Sequence, residues 1–401
     1  MNAAAHPIET ESSPLSVAPQ NGSAGPALLT SSTRIAALDG IRGVAILLVL
    51  LCHVVFEMRP ASRILTHLLA VGRLAWSGVD LFFVLSGFLI GGILLDVRDS
   101  PNYYKTFYLR RAYRILPLYG AMVALFSIRF FPVNWMPHWL GTFSEAPIPW
   151  FSYATFTQNI WMALYGTFGV GTMAATWSLA VEEQFYLTVP WLVRRISKPG
   201  LIRVLVVVVA VAPLLRTMLL WKMKYGHFAN YVLMPCRADA LCMGVLAALM
   251  MRSSKSLEWL IAQRRLIYTL AAFLFLVLAG MTYMGYDANA GPMVTAGYSF
   301  LALFYACFLL IGVTHVQGKI HSLLCSKWLM SLGGLAYFTY LVHLPMMEAC
   351  RRMLGMIFAY SAIATQFVGG IIGVLVTVAF AKLSWKYFER PLLRKSHSYR
   401  Y

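Results

Sequence analysis

Arg42 and His53 are the residues whose types and spacing point most directly to chemistry. Both lie in IAALDGIRGVAILLVLLCHVVF, from Ile35 to Phe56, a run apolar and long enough to cross a bilayer. Ionisable side chains in such a run are costly and are functional candidates by default. Eleven residues of helix turn through about 1,100°, so both project from nearly one side, about 16 Å apart along the axis. The pair suits anion binding near one leaflet and proton transfer much deeper. Taken singly, each has a structural alternative: Arg42 snorkelling to the interface, and His53 as a satisfied interior histidine.

Further polar residues sit in or at the ends of other apolar runs. Asp39 is one helical turn before Arg42 and can pair with it. Asp80 opens GVDLFFVLSGFLIGGILL, where it suits either a helix N-terminus or a site. Glu182 and Glu183 are adjacent in TWSLAVEEQFYLTVPWL. Neighbours on a helix diverge by about 100°, so only one can face a given partner. Arg237 and Asp239, in RADALCMGVLAAL, are two apart and call for different partners. Tyr337, Tyr340 and His343 recur every three residues as one polar stripe. Each alone reads as interhelical hydrogen bonding; together they call for a polar interior. Arg111 and Arg114, in YLRRAYRILPLY, are one turn apart and can grip one anion, because guanidinium bonds phosphate bidentately. Plain positive flanking of a span is the alternative there.

The elements that must position these residues follow from composition. Of 401 residues, 59% are hydrophobic and 12% charged, which is a multi-pass membrane protein and not a soluble one. The predicted fold class is all-α, a polytopic transmembrane bundle of about ten helices. They run over 35–57, 76–95, 114–132, 176–193, 202–221, 235–251, 266–284, 293–314, 329–350 and 361–384. With the N-terminus inside, the inner connections and tails hold twenty-one Lys and Arg against seven outside, Arg351 and Arg352 among the latter. That bias puts both termini in the cytoplasm. The net charge of +18 is therefore mainly a topology signal and no nucleic-acid footprint, though it would also attract an anionic cytosolic ligand. Six cysteines without CxxC or metal-ligand spacing predict free thiols, no disulfide framework and no metal site.

Residues 1–33, rich in Ser, Ala, Pro and Gly, read as a disordered tail, and 393–401 as a basic cytoplasmic tail. The long outer loop over 133–175 carries Trp135, Trp139, Trp150 and Trp161, which suit headgroup anchoring or a stacking platform for a sugar ring.

These pieces resemble the acyltransferase-3 family of integral membrane acyltransferases over residues 34–392. LDGIRG followed by His53 looks like the family's Arg-x10-His element, and RRAYRILPLY carries its Arg-x-x-Arg element as Arg111 and Arg114. GVDLFFVLSGFLI, TWSLAVEEQFYL, RADALCMG, YFTYLVH and YFERPLL also fit, in the family's order. The resemblance implies transfer of an acyl group, commonly acetyl, from cytosolic acyl-coenzyme A to a hydroxyl, often on a sugar of a glycan or glycolipid. Some relatives carry a C-terminal esterase-like domain. The expectation is that this chain lacks one, which would leave the acceptor to the membrane domain or to a partner protein.

On that reading Arg42, Arg111 and Arg114 hold the donor's phosphates while its flexible arm carries the thioester to His53, the general base. Glu182 orients His53 or binds the acceptor. Asp39, Asp80, Arg237, Asp239, Tyr340 and His343 are further polar pocket candidates. No tightly bound cofactor or metal is expected, and the expected location is the inner (plasma) membrane. A transporter of glycan, lipid or anionic metabolite, an acyltransferase acting on a secreted metabolite, and a non-catalytic sensor are the competing readings.

Overall fold

The computed structural model describes residues 35–55, 72–127, 148–357 and 362–401. The expected tail over 1–33, the outer end of the first span, and Trp135 and Trp139 lie outside these residues. The described residues form helices and connections without strands. The long helices are α1 (Ala36–Val55), α2 (Gly78–Asp96), α3 (Tyr103–Ser127), α4 (Thr176–Arg195), α5 (Lys198–Lys222) and α6 (Met234–Met250). They continue with α7 (Arg264–Tyr283), α8 (Tyr298–Thr314), the short α9 (Lys327–Gly334), α10 (Ala336–Ile357) and α11 (Ala362–Ser384). Among the described residues, seven helices are long and apolar enough to cross a membrane, or eight if a bent pair is one span. The chain is thus a multi-pass helical bundle. α3 and α4 are not among the seven; both are long but carry arginines or glutamates along their length.

The centre of the bundle is α2, packed against α1 and α6. Lipid and protein interior are equally apolar, so close helix contact depends on small residues. At Gly87 of α2 a Cβ would stand 2.0 Å from the carbonyl oxygen of Leu241, and at Gly244 of α6 it would stand 2.1 Å from that of Val84. The two backbones therefore touch directly. The same device locks α9 to α1, where a Cβ on Gly333 would lie 1.8 Å from the carbonyl oxygen of Asp39.

Three sequence expectations change. The third helix starts at Tyr103 and not near 114, so Arg110, Arg111 and Arg114 lie within a helix and not in a loop. The expected helix over 329–350 is broken: α9 and α10 meet at 72° around Leu335. Glycine is common in membrane helices, so Gly333–Gly334 carried no clear stop signal. Arg351 and Arg352 lie in the last turns of α10 and not in an outer connection. The C-terminal residues fold back onto α3: Arg110 donates to the carbonyl oxygen of Tyr399 (2.7 Å) and Thr106 to that of Arg400 (2.8 Å).

Candidate active site

The geometry starts at the deep end of α1. His53 Nδ1 lies 2.8 Å from the carbonyl oxygen of Val49, one turn back. A carbonyl only accepts, so Nδ1 carries the proton and the lone pair of the neutral ring sits on Nε2. The buried His343 of α10 repeats the arrangement, its Nδ1 2.7 Å from the carbonyl oxygen of Tyr340. Its Nε2 is therefore the lone-pair nitrogen, and it lies 3.3 Å from His53 Nδ1. The two rings meet edge to face with centroids 4.8 Å apart. His53 is thus held in one tautomer from α1 and from α10. Arg351 adds a third strut, donating to the carbonyl oxygens of His53 (3.1 Å) and Gln366 (3.2 Å) and so tying α1 to α10 and α11.

His53 lines a cavity of about 750 Å³ toward the C-terminal end of α1, termed outer by that position alone as its counterpart toward the N-terminal end is termed inner, with Trp76, Trp177, Tyr231, Asp287, Asn289 and Arg351 among its walls. Arg42, eleven residues earlier, lines a different, inner cavity of about 290 Å³. Arg111 and Arg114 project into the same inner cavity, beside Glu182, Tyr186, Tyr337 and Glu389. Arg42 is bonded to Asp39 at 2.6 Å, which fixes its side chain on the helix. The Arg111 guanidinium lies over the rings of Phe107 and Tyr186, at 5.9 and 5.8 Å. Gly333 and Gly334, at the break between α9 and α10, line the inner cavity too. Helical breaks at membrane depth are tolerated where the freed backbone borders such a cavity.

The two linings share Val79 and Tyr340. The Tyr340 hydroxyl is 2.5 Å from Ser178 Oγ and 3.1 Å from the carbonyl oxygen of Ala175, which pins the ring between the cavities. The rest of the stripe is divided: the Tyr337 hydroxyl bonds the carbonyl oxygen of Ile115 on α3, and His343 bonds His53.

Glu182 does not orient His53. It lines the inner cavity and accepts from the Tyr186 hydroxyl at 3.1 Å. Asp80, Arg237 and Asp239 line neither cavity. Arg237 pairs with Asp80 at 2.6 Å, and Asp239 pairs with Arg216 of α5 at 2.9 Å, each pair buried. Arg237 also lies over the ring of Tyr298, 3.9 Å from its centroid. Two residues apart on a helix, Arg237 and Asp239 do take different partners. The sequence does not single out Arg216 or Ser178, and it marks Arg351 only as an outer charge. Arg216 is an intramembrane charge and signalled itself by that alone, whereas Arg351 looks like a flanking charge.

The sequence signature of one family, described as an acyltransferase domain, matches residues 35–382. The chain is 23% identical over 368 residues to a peptidoglycan O-acetyltransferase, OatA, of Listeria monocytogenes, covering 89% of this chain and 55% of that protein. It is 27% identical over 378 residues to a putative peptidoglycan O-acetyltransferase, YrhL, of Bacillus subtilis, at the same coverage. It is 24% identical over 379 residues to an O-acetyltransferase, OatA, of Staphylococcus aureus, covering 89% and 57%. The chain therefore spans little more than half the length of these relatives. No solved structure matches. With the family signature running from the start of α1 almost to the end of α11, the chain belongs to the acyltransferase-3 family of membrane acyltransferases.

Proposed function

We propose that this chain is a membrane O-acyltransferase of the inner membrane that moves an acetyl group from cytosolic acyl-coenzyme A to a hydroxyl of a cell-envelope carbohydrate. One observation carries the reading: an arginine-lined cavity and a histidine-lined cavity at opposite ends of α1, meeting at Tyr340. The names of the similar proteins support acetyl transfer to a glycan, and peptidoglycan is the acceptor they suggest. Counting the bent pair and the charged α3 and α4 as spans gives ten, with both termini cytoplasmic by the positive-inside bias. The membrane domain then runs over 34–392.

Arg42, Arg111 and Arg114 hold the phosphates of the donor as charge-assisted contacts. The arm passes Tyr340 and brings the thioester to His53, a distance of about 16 Å along α1. His53 Nε2 takes the proton of the acceptor hydroxyl as its oxygen attacks the acyl carbon. The carbon–sulfur bond breaks with its electron pair on sulfur, and the proton passes from His53 to the leaving thiolate. Arg351, bonded to the His53 carbonyl and lining the outer cavity, supplies positive charge for the developing oxyanion.

The test uses purified full-length protein in lipid nanodiscs with labelled acetyl-coenzyme A and glycan acceptors. His53→Ala is expected to lower transfer by about 10²–10⁴ with an unaltered unfolding temperature. Full activity in that variant would remove His53 from the mechanism.

A further inference from the structure

The outer cavity differs from the inner one in its walls as well as its size. Trp76 lies against Tyr231 with centroids 6.1 Å apart and against Tyr298 at 5.7 Å. Trp177 closes on Tyr231 at 4.7 Å, and Phe168 sits edge-on to Phe228 at 4.6 Å and to Tyr231 at 6.0 Å. These rings form one continuous aromatic wall. Behind it stands the buried Arg237–Asp80 pair, with the Arg237 guanidinium 5.5 Å from the Tyr231 ring centroid and 3.9 Å from that of Tyr298. The rings are thereby fixed before any ligand arrives. Trp76, Tyr231, Phe168 and Phe228 nevertheless remain only half-buried and line the cavity.

The rest of the lining is polar. Asp287, Asn289 and the Glu348–Arg352 ion pair stand among its walls with both donors and acceptors. Asn289 is held in place through its own backbone, its N–H donating to Asp287 Oδ1 and its carbonyl accepting from His227 Nδ1.

We infer that the outer cavity is a sugar-ring subsite, in which Trp76 and Tyr231 form the stacking face and Asp287, Asn289 and Glu348 bond the ring's peripheral hydroxyls. The inference rests on the reading of His53 as the base and names the class of acceptor brought to it. A pyranose presents apolar C–H faces and a polar edge, and this cavity offers an aromatic wall and a polar remainder. An acyl chain would desolvate that polar remainder without offering it a hydrogen bond in return. Small-ligand sites run from about 300 to 1,000 Å³, so about one or two rings fit, with a longer glycan continuing outward.

The experiment follows two products in nanodiscs: acetyl transferred to a β-1,4-linked N-acetylglucosamine tetramer, and acetate released from acetyl-coenzyme A by water. Trp76→Ala is expected to lower the ratio of transfer to hydrolysis at least tenfold, with Trp76→Phe recovering at least a third of that ratio. Tyr231→Ala is expected to act in the same direction. Parallel loss of both products, leaving the ratio unaltered, would make the wall structural and overturn the subsite. So would wild-type protein that hydrolyses the thioester through His53 but transfers nothing to the tetramer, or transfer inhibited by a long-chain alcohol and not by the sugar. Hydrolysis and transfer that survive His53→Ala would instead overturn the underlying mechanism and leave the ratio at Trp76 as a separate readout of the subsite.

Discussion

His53 matters as the junction of three helices: its imidazole is aimed by Val49 on its own helix and by His343 on α10, while Arg351 of α10 ties its carbonyl to that of Gln366 on α11. In the proposed mechanism His343 is a positioning residue, its lone pair facing the Nδ1 proton of His53. His343→Ala should lower kcat about tenfold, the cost of roughly one hydrogen bond, and leave both KM values near wild type. That is a smaller loss than for His53→Ala, and steady-state kinetics separates the two. Arg114, exposed in the inner cavity, is a donor contact in the proposed mechanism. Arg114→Ala should raise the KM for acetyl-coenzyme A about tenfold, the value of one charge-assisted hydrogen bond, before it affects kcat. An unaltered KM would take Arg114 out of donor binding. At this scale the sequence was informative where an ionisable residue interrupts an apolar run, as at Arg42, His53 and Glu182. It was silent on partners: Glu182 turned to Tyr186, and His343 to His53.

The helices explain why those residues meet. α1 reaches both cavities through Arg42 and His53, and α10 presents Tyr337 to the inner cavity, Tyr340 to both and His343 to His53. The break before α10 sets where that stripe begins. Gly333 makes the break compact, because any side chain there would collide with the backbone of α1 beside Asp39. The α2–α6 contact has a different fastening, the buried Asp80–Arg237 pair. Removing one member of a buried ion pair strands the other in a dry interior at a cost of about 3–5 kcal/mol. Arg237→Ala should therefore lower the unfolding temperature in detergent markedly, and the double change to Arg237→Met with Asp80→Leu should restore much of the loss. A single variant as stable as wild type would show the pair to be dispensable. Helix positions were largely legible, because long apolar runs announce themselves. The start of α3 was not, since its first turns are polar and aromatic and rest on the C-terminal residues.

At the scale of the whole molecule, the proposed mechanism requires the inner cavity to open to the cytosol. Lys222, exposed at the end of α5, and Ser398, exposed in the C-terminal residues, lie on opposite sides under the proposed topology. In sealed spheroplasts, a membrane-impermeant maleimide should label Lys222→Cys readily and Ser398→Cys only after permeabilisation. The six native cysteines are buried or half-buried, so a cysteine-containing parent serves as the background. The reverse pattern would invert the topology and, with it, the side from which the donor enters.

Membrane residence, the helical fold class and the candidacy of Arg42 and His53 came from the sequence by itself. Each reflects a solvation cost local to one segment, which composition and spacing record. The tertiary structure alone decided that the arginines of α1 and α3 share one cavity, that His53 faces a second, and that Tyr340 stands between them. It also decided that Asp80, Arg237 and Asp239 are interior ion pairs. Those outcomes depend on which helix faces pack together. In a membrane that choice rests on small-residue contacts and buried polar pairing, and no single apolar stretch carries it.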